Sequence, residues 1–314
     1  MALLGIDLGG TKLAFAVFSE TGKILHKDTI ALENRKGVEV GSLITTGIIR
    51  LINSGNNPTR SIGISVPGIY YIKTGKVWAP NIPGWDDYPL LEEVLKISGE
   101  IPVTIDSDRA CYILGELWQG NACGCMDAIY LAVGTGIGAG ILINGNVLRG
   151  SNDIAGAIGW MALTKPFNDE YIHCGCFETY ASGEGIVKLA RKYLKDDPDY
   201  TGELKSVIKI TARHVFSAYE NNEPLASKVI DECIEFWGMA AANLVSLFNP
   251  EKIIFGGGVF GPAINLIPAI KEEATKWAQP ISIKQVTFES SALGSDAGVY
   301  GAGFLALKNS KCII

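Results

Sequence analysis

The same punctuation occurs twice along this chain. Near the N-terminus an apolar run, Leu3-Leu4-Gly5-Ile6, meets the turn Asp7-Leu8-Gly9-Gly10-Thr11-Lys12. A second run, Leu13–Phe18, is followed by Glu20-Thr21-Gly22-Lys23 and a third run, Ile24–Ile30. At residue 128 the pattern returns: Ala128–Val133, Gly134-Thr135-Gly136, Ala139–Ile143, Asn144-Gly145, Val147-Leu148. Short apolar runs separated by glycine turns predict strands joined as hairpins. Such a unit occurring twice predicts two related lobes facing each other, with the ligand site between them, where pockets often form. The length of 314 residues agrees, because a single core tends to split above about 250 residues.

The remaining elements alternate. Helices are predicted over about Val38–Ile52, Arg109–Trp118, from Pro224 to the stop at Asn249-Pro250, and over Ala297–Leu307. Buried strands are predicted at Ile62–Val66, Val103–Ile105 and Lys252–Phe255, the last running into Gly256-Gly257-Gly258. Residues 128–148 carry no charge and are long enough to cross a bilayer, but five glycines interrupt them. Two buried strands explain the stretch better than a spanning helix, so no membrane association is expected.

Composition removes several classes. Hydrophobic residues at 47% and charged residues at 19% exclude a disordered chain. A net charge of −6 argues against a nucleic-acid partner. Seven cysteines form no paired framework, which points to a reducing cytoplasm. No signal peptide is expected, since Asp7 interrupts the first apolar run. The end, Cys312-Ile313-Ile314, is one residue short of a prenylation box. His26, His173 and His214 are isolated and support neither a triad nor a metal cluster, and His26 and His214 read as surface residues.

Chemistry is concentrated in three glycine clusters, 9–11, 134–138 and 256–258, each after an apolar strand. Glycine lets backbone N–H groups approach phosphate oxygens closely, and strand ends are where such ligands sit in α/β sheets. Neither a Walker loop nor a Rossmann fingerprint is present. Asp108 lies between a buried strand and a helix. An ionised carboxylate there could accept a proton from a hydroxyl nucleophile; the same position and residue type also fit a helix N-cap.

In order along the chain, Asp7-Leu8-Gly9-Gly10-Thr11-Lys12, Ala79-Pro80-Asn81-Ile82-Pro83-Gly84-Trp85, Gly134-Thr135-Gly136-Ile137-Gly138, Asn249-Pro250-Glu251-Lys252-Ile253-Ile254-Phe255-Gly256-Gly257-Gly258 and Leu293-Gly294-Ser295-Asp296-Ala297-Gly298 resemble the ROK family of bacterial sugar kinases and sugar-responsive repressors. The resemblance implies an α/β, actin-like ATPase fold related to ribonuclease H, two lobes with a central cleft closing on ATP and a sugar. The expected lobes are 1–112 with 301–314, and 113–300. The resemblance also implies roles. Asp7 would help hold Mg²⁺; Gly9, Gly10, Thr11 and Lys12 would face the phosphates, as would Gly134, Thr135 and Gly136. Gly256, Gly257 and Gly258 would line the adenosine pocket. Gly68, Asn81, Ser107 and Glu178 would face the sugar, and Asp108 would be the general base. ATP and Mg²⁺ are the expected cofactors, a small sugar the substrate, and a homodimer the expected assembly.

The departures from that family pattern cluster in the sugar and metal sites. The family's Asn-Asp is Ser107-Asp108 here, and its Gly-Glu-Ile-Gly-His is Gly156-Ala157-Ile158-Gly159-Trp160. The sugar-binding Glu thus becomes Ala157 and the metal-binding His becomes Trp160. Trp160 could stack on a sugar face, or pack where zinc tethers the loop in relatives; packing is the favoured reading. Of the family's zinc cysteines only Cys176 keeps register, the two earlier positions being Asp169 and Tyr171, so no structural zinc is expected. Cys123, Cys125, Cys174 and Cys176 could instead share a metal, or be buried thiols. The functional expectation is ATP-dependent phosphorylation of a hexose or N-acetylhexosamine. The alternative is a sugar- or nucleotide-binding protein without turnover. A repressor is not expected, because the glycine motif begins near residue 5.

Overall fold

In the computed structural model, which describes residues 2–54 and 58–311, the chain divides into two compact units. The Cys312-Ile313-Ile314 end lies outside the described residues. One unit comprises Met1–Gly124, Val147–Ala155 and Ser295–Ile314; the other comprises Cys125–Asn146 and Gly156–Gly294.

The first unit is built on a five-stranded sheet in the order β3-β2-β1-β4-β7. Its strands are β1 (Ala2–Leu8), β2 (Lys12–Phe18), β3 (Ile24–Ala31), β4 (Thr59–Val66) and β7 (Val103–Ser107). β1 pairs antiparallel with β2 and parallel with β4, and β4 parallel with β7. A two-stranded ribbon, β5 (Ile69–Tyr71) and β6 (Lys76–Trp78), follows β4. The sheet is covered by α1 (Gly37–Asn53), α2 (Leu90–Ser98), α3 (Asp108–Gln119) and α11 (Ala297–Lys311). The register places Asp7 opposite Ser65 and Ser65 opposite Asp106. One polar row therefore crosses the carboxyl ends of three parallel strands, where ligands of α/β sheets bind.

Backbone approaches backbone closely between α11 and its neighbours, alongside side-chain packing such as Leu305 on Leu114 and Phe304 on Trp118. A Cβ on Gly63 would stand 1.9 Å from the Ala302 carbonyl oxygen, and one on Gly5 2.8 Å from Gly303 N. Across the two helices, a Cβ on Gly301 would reach 1.9 Å from the Cys111 carbonyl and one on Gly115 2.4 Å from that of Ala297. Packing on α11 keeps the whole of α3 in this unit, so the boundary falls at Gly124/Cys125 rather than at 112/113. Residues 295–300 join it for the same reason. The segment Val147–Ala155 belongs here because Arg149, Asp153 and the Ile154 carbonyl all bond to this unit.

The second unit repeats the plan. Its sheet runs β10-β9-β8-β11-β12, with β8 (Ala128–Val133), β9 (Ile137–Ile143), β10 (Asn146–Val147), β11 (Lys252–Gly256) and β12 (Thr287–Ser290). β8 pairs antiparallel with β9 and parallel with β11, and β11 parallel with β12. The duplication read from the turns is thus a duplication of sheet topology. The uncharged stretch 128–148 contains β8, β9 and β10, and no helix among the described residues is long and apolar enough to cross a membrane. The helices are α4 (Tyr171–Cys174), α5 (Cys176–Ala181), α6 (Gly183–Asp196), α7 (Ala212–Glu220), α8 (Pro224–Phe248), α9 (Ile267–Trp277) and α10 (Ser282–Gln285). Glu223 caps α8, Pro224 sits in its first turn, and Asn249 ends it in the left-handed region at φ 45°. Its buried face, including Val229, Ile230, Cys233 and Trp237, forms the centre of the unit's core.

The glycine contacts of α11 are open to test. Gly301→Ala introduces a clash with backbone that cannot rotate away. Overpacking of this kind costs about 3 kcal/mol and helix propensity returns at most about 1 kcal/mol, so thermal or denaturant unfolding is expected to show a net loss near 2 kcal/mol. Unchanged stability would contradict the close packing of α11 on α3.

Candidate active site

In the first unit, β1 delivers Asp7 into a space that only glycine leaves open. A Cβ on Gly298 would come within 2.5 Å of Asp7 Oδ2 and 2.6 Å of Oδ1. Burial pushes the Asp7 carboxyl up from its ordinary value, with the Ser65 hydroxyl and the Lys12 ammonium pulling it down and Asp296 adding to the rise. The following turn closes through Gly9 N–H donating to the Lys12 carbonyl at 2.9 Å, leaving Gly10, Thr11 and Lys12 exposed. Asn81 is exposed beside this turn, its Cβ 3.9 Å from where one on Gly10 would stand. Gly68 holds φ +84°, and a Cβ there would strike the Trp78 carbonyl at 2.2 Å, so the tight turn into the ribbon requires glycine.

Asp108 is not the helix cap. Ser107 adopts the extended cap conformation, and its Oγ accepts the Ala110 N–H at 3.3 Å. Asp108 is the first helical residue, half-buried, with Oδ1 accepting the N–H of Arg109 at 2.8 Å. Burial, with the Asp7 charge adding to it, pushes its carboxyl up to about 6 against the opposing pull of Arg109 and Tyr112. A group with that value is ionised at neutral pH yet basic enough to take a proton.

In the second unit the glycine turns converge on a cavity of about 750 Å³ lined by Gly134, Thr135, Gly183 and Gly258. Gly183 N–H donates to the Gly134 carbonyl at 2.8 Å, which ties the turn after β8 to the start of α6. Gly257 sits at φ +88° against Val133. Gly256 is buried under the Tyr130 ring, and Gly258 is the member of that triplet that lines the cavity. Two helix starts border it: α6, capped by Ser182 through Gly185 N–H at 3.0 Å, and α7, capped by Thr211 with His214 Nδ1 3.0 Å from the threonine hydroxyl. Four cations, Lys188, Arg191, Lys209 and Arg213, stand around it with one carboxylate, Glu184. Helix N-termini, glycine amides and cations favour an anionic ligand. The sequence reading missed α6 and α7, although Ser182-Gly183 and Thr211 are cap signals.

Glu178 serves the same turn. Its Oε2 accepts Ile137 N–H at 2.6 Å, and a Cβ on Gly136 or Gly159 would approach that oxygen to 2.7 or 3.0 Å. Burial raises its pKa, partly offset by that hydrogen bond. Trp160 corrects an expectation: it is 57% exposed and does not pack in place of a tethering metal. The loop is held otherwise. Tyr171 is buried, its hydroxyl lies 2.8 Å from that of Tyr180, and Tyr180 stacks on Phe236 at 4.4 Å. Phe167 meets Tyr171 edge-on at 5.8 Å. The shared-metal alternative for the cysteines also falls: among the described residues no three His, Cys, Asp or Glu side chains are grouped to hold a metal, and Cys174 Sγ contacts the Thr179 hydroxyl at 3.3 Å.

Duplicated sheets of this topology with glycine turns at their strand ends define an actin-like ATPase fold, the fold of the ROK sugar kinases. The model of the ROK family matches residues 3–309, and the chain belongs to that family. A glucokinase from Halalkalibacterium halodurans is 36% identical, over 96% of this chain and 94% of that one. The ROK hexokinase from Thermus thermophilus superposes with a TM-score of 0.81 at 27% identity, covering 99% of this chain and all of that one. A ROK family glucokinase from Streptomyces griseus, in complex with glucose and AMPPNP, does so with a TM-score of 0.77 at 28% identity, covering 98% of this chain and 100% of that one.

A raised carboxyl pKa is a cost carried by the folded state. The native protein holds its Asp108 proton up to about pH 6, whereas an unfolded aspartate releases it near 3.9. Stability therefore falls as pH rises through that window and the full cost stands above it. Asp108→Asn is expected to stabilise the protein at pH 7.5 by about 1–3 kcal/mol, with the gain vanishing near pH 4. Chemical denaturation at the two pH values measures it.

Proposed function

We propose that this chain transfers the γ-phosphoryl group of ATP to a hydroxyl of a hexose or N-acetylhexosamine, with Asp108 as general base. The observation that carries the reading is Asp108 itself. The helix cap is supplied by Ser107, so the carboxylate is not spent on capping, and its pKa near 6 suits proton acceptance at neutral pH. Belonging to a family with glucokinase-named members supports the reading.

Phosphoryl transfer asks a protein mainly to position the hydroxyl and to balance charge. In this proposal Gly134, Thr135 and Gly258 bind the nucleotide with the α6 and α7 starts, Gly256 being buried under Tyr130 and shaping the turn from behind, and Gly9, Gly10, Thr11 and Lys12 contribute N–H groups and a cation for phosphate. Gly68, Asn81, Ser107 and Glu178 orient the sugar, and the exposed Trp160 ring is free to stack on it. The cradled Asp7 carboxylate is a hard oxygen donor that fits magnesium. Magnesium, when bound, supplies charge neutralisation at the phosphates. Asp108 then accepts the hydroxyl proton as the oxygen bonds to phosphorus and ADP leaves.

Ala157, where the family's sugar-binding Glu would stand, favours a second reading, a binding protein that has lost turnover. A lost charged hydrogen bond is worth about 1.5–3 kcal/mol. Coupled ADP release over a hexose panel separates the two. Turnover that falls about 10²–10⁴-fold in Asp108→Asn supports the kinase; equal turnover of the two proteins refutes the base. Calorimetric binding of ATP and sugar with no turnover on any hexose establishes the second reading.

The pH profile is a separate check. Because the base works deprotonated, kcat/KM should decline as pH falls through about 6. An acid limb near the ordinary aspartate value of about 3.9 would contradict the burial that raises Asp108.

A further inference from the structure

We propose that Asp106 and Arg149 are positioning residues: their forked ion pair fixes the strand end that aims Asp108. The inference rests on the kinase reading above but concerns residues to which that reading gives no role. Asp106 is 2% exposed, the second-to-last residue of β7. A buried carboxylate is tolerated only when paired and hydrogen-bonded. Arg149 Nη1 donates to its Oδ1 at 2.5 Å and Nη2 to its Oδ2, the two-pronged arrangement that only a guanidinium provides. Oδ1 also accepts the N–H of Ser107 at 2.8 Å. Two residues later stands Asp108. The ion pair thus grips the backbone immediately before the cap, and rotation there would swing the base.

Arg149 does not act from a regular element. The segment Val147–Ala155 is pinned to the unit at three places. Arg149 holds Asp106; Asp153 Oδ2 accepts the Ile72 N–H at 3.1 Å; and the Ile154 carbonyl accepts Arg109 Nη1 at 3.4 Å. The second prong of Arg109, Nη2, reaches the Gly68 carbonyl at 3.2 Å. Asp108's own neighbour therefore links the segment to the sugar-facing turn at Gly68. Base and turn are held in one frame by two arginines on either side of the same carboxylate-bearing strand end. Stability alone is a weak reason for such a pair, since apolar residues of similar volume commonly replace a buried ion pair without loss. Directional control of the strand end is what a forked pair adds.

The test compares Arg149→Met, Arg149→Lys and the double variant Asp106→Leu with Arg149→Met, which replaces the pair by apolar volume. For positioning, kcat falls about tenfold to a hundredfold in all three. KM for ATP stays within about twofold, and the melting temperature recovers in the double variant while kcat does not. If kcat recovers with the melting temperature, or Arg149→Lys retains full kcat, the pair is merely structural and the proposal is overturned. Amide hydrogen exchange gives a readout that needs no turnover: in Arg149→Met the N–H groups of Ser107 and Arg109 should exchange at least about tenfold faster, with β4 protected as in wild type. Unchanged exchange at those two amides overturns the proposal even if no hexose is phosphorylated. A wild type that turns over no hexose, with exchange quickened as stated, sinks the kinase reading and leaves the positioning pair standing.

Discussion

Close backbone contact along α11 is the constraint on which the first unit depends. Gly5 and Gly63 on the sheet, Gly115 on α3 and Gly301 on α11 all lie where a methyl group would collide with a carbonyl or an amide. Removing side chains from these lines lets two helices and two strands share one narrow layer. The consequence for chemistry is direct. α3 carries Asp108 at its first residue, α11 offers Gly298 as the floor under Asp7, and α11 packs on β1, on β4 and on α3. Dispersion and burial then act over many short contacts, and the site inherits its rigidity from backbone packing rather than from the site residues.

Three carboxylates come together near the end of that sheet, and their surroundings give them different states. Asp106 is matched by a guanidinium in a forked ion pair. Asp108 has only partial compensation from Arg109 and Tyr112 and is pushed upward by burial. Asp7 is likewise raised, yet Lys12 and Ser65 draw it back. Carboxyl groups of one residue type acquire separate tasks when environment sets their protonation apart. Here the division follows from where the cations sit: Arg149 from a distant segment faces Asp106, while Asp108 faces none so directly.

In the second unit the loop after Gly159 is held by aromatic packing. There an aromatic group of Phe167, Tyr171, Tyr180 and Phe236 is joined by ring contacts and one hydroxyl pair. Glu178 turns toward the 134–138 turn and satisfies its Ile137 amide. Apolar burial in this loop falls at Tyr171, not at Trp160, whose ring is left on the surface.

Much of this architecture was legible in the chain. Glycine turns after apolar runs marked the hairpins, their recurrence marked the doubled sheet, and Pro224 and Asn249-Pro250 marked both ends of α8, because turns and caps depend on φ and on missing N–H groups that single residues control. The glycine clusters and Asp108 could be named as a candidate site for the same local reason. Other features needed tertiary structure. Whether Ser107 or Asp108 capped α3 was a matter of one hydrogen bond. That Arg149 meets Asp106, that α6 and α7 start at the cavity, and that Trp160 stays exposed depend on which distant segments pack together. Charge pairing and burial are properties of that packing, with partners more than 40 residues apart in the case of Asp106 and Arg149, and no local pattern encodes them.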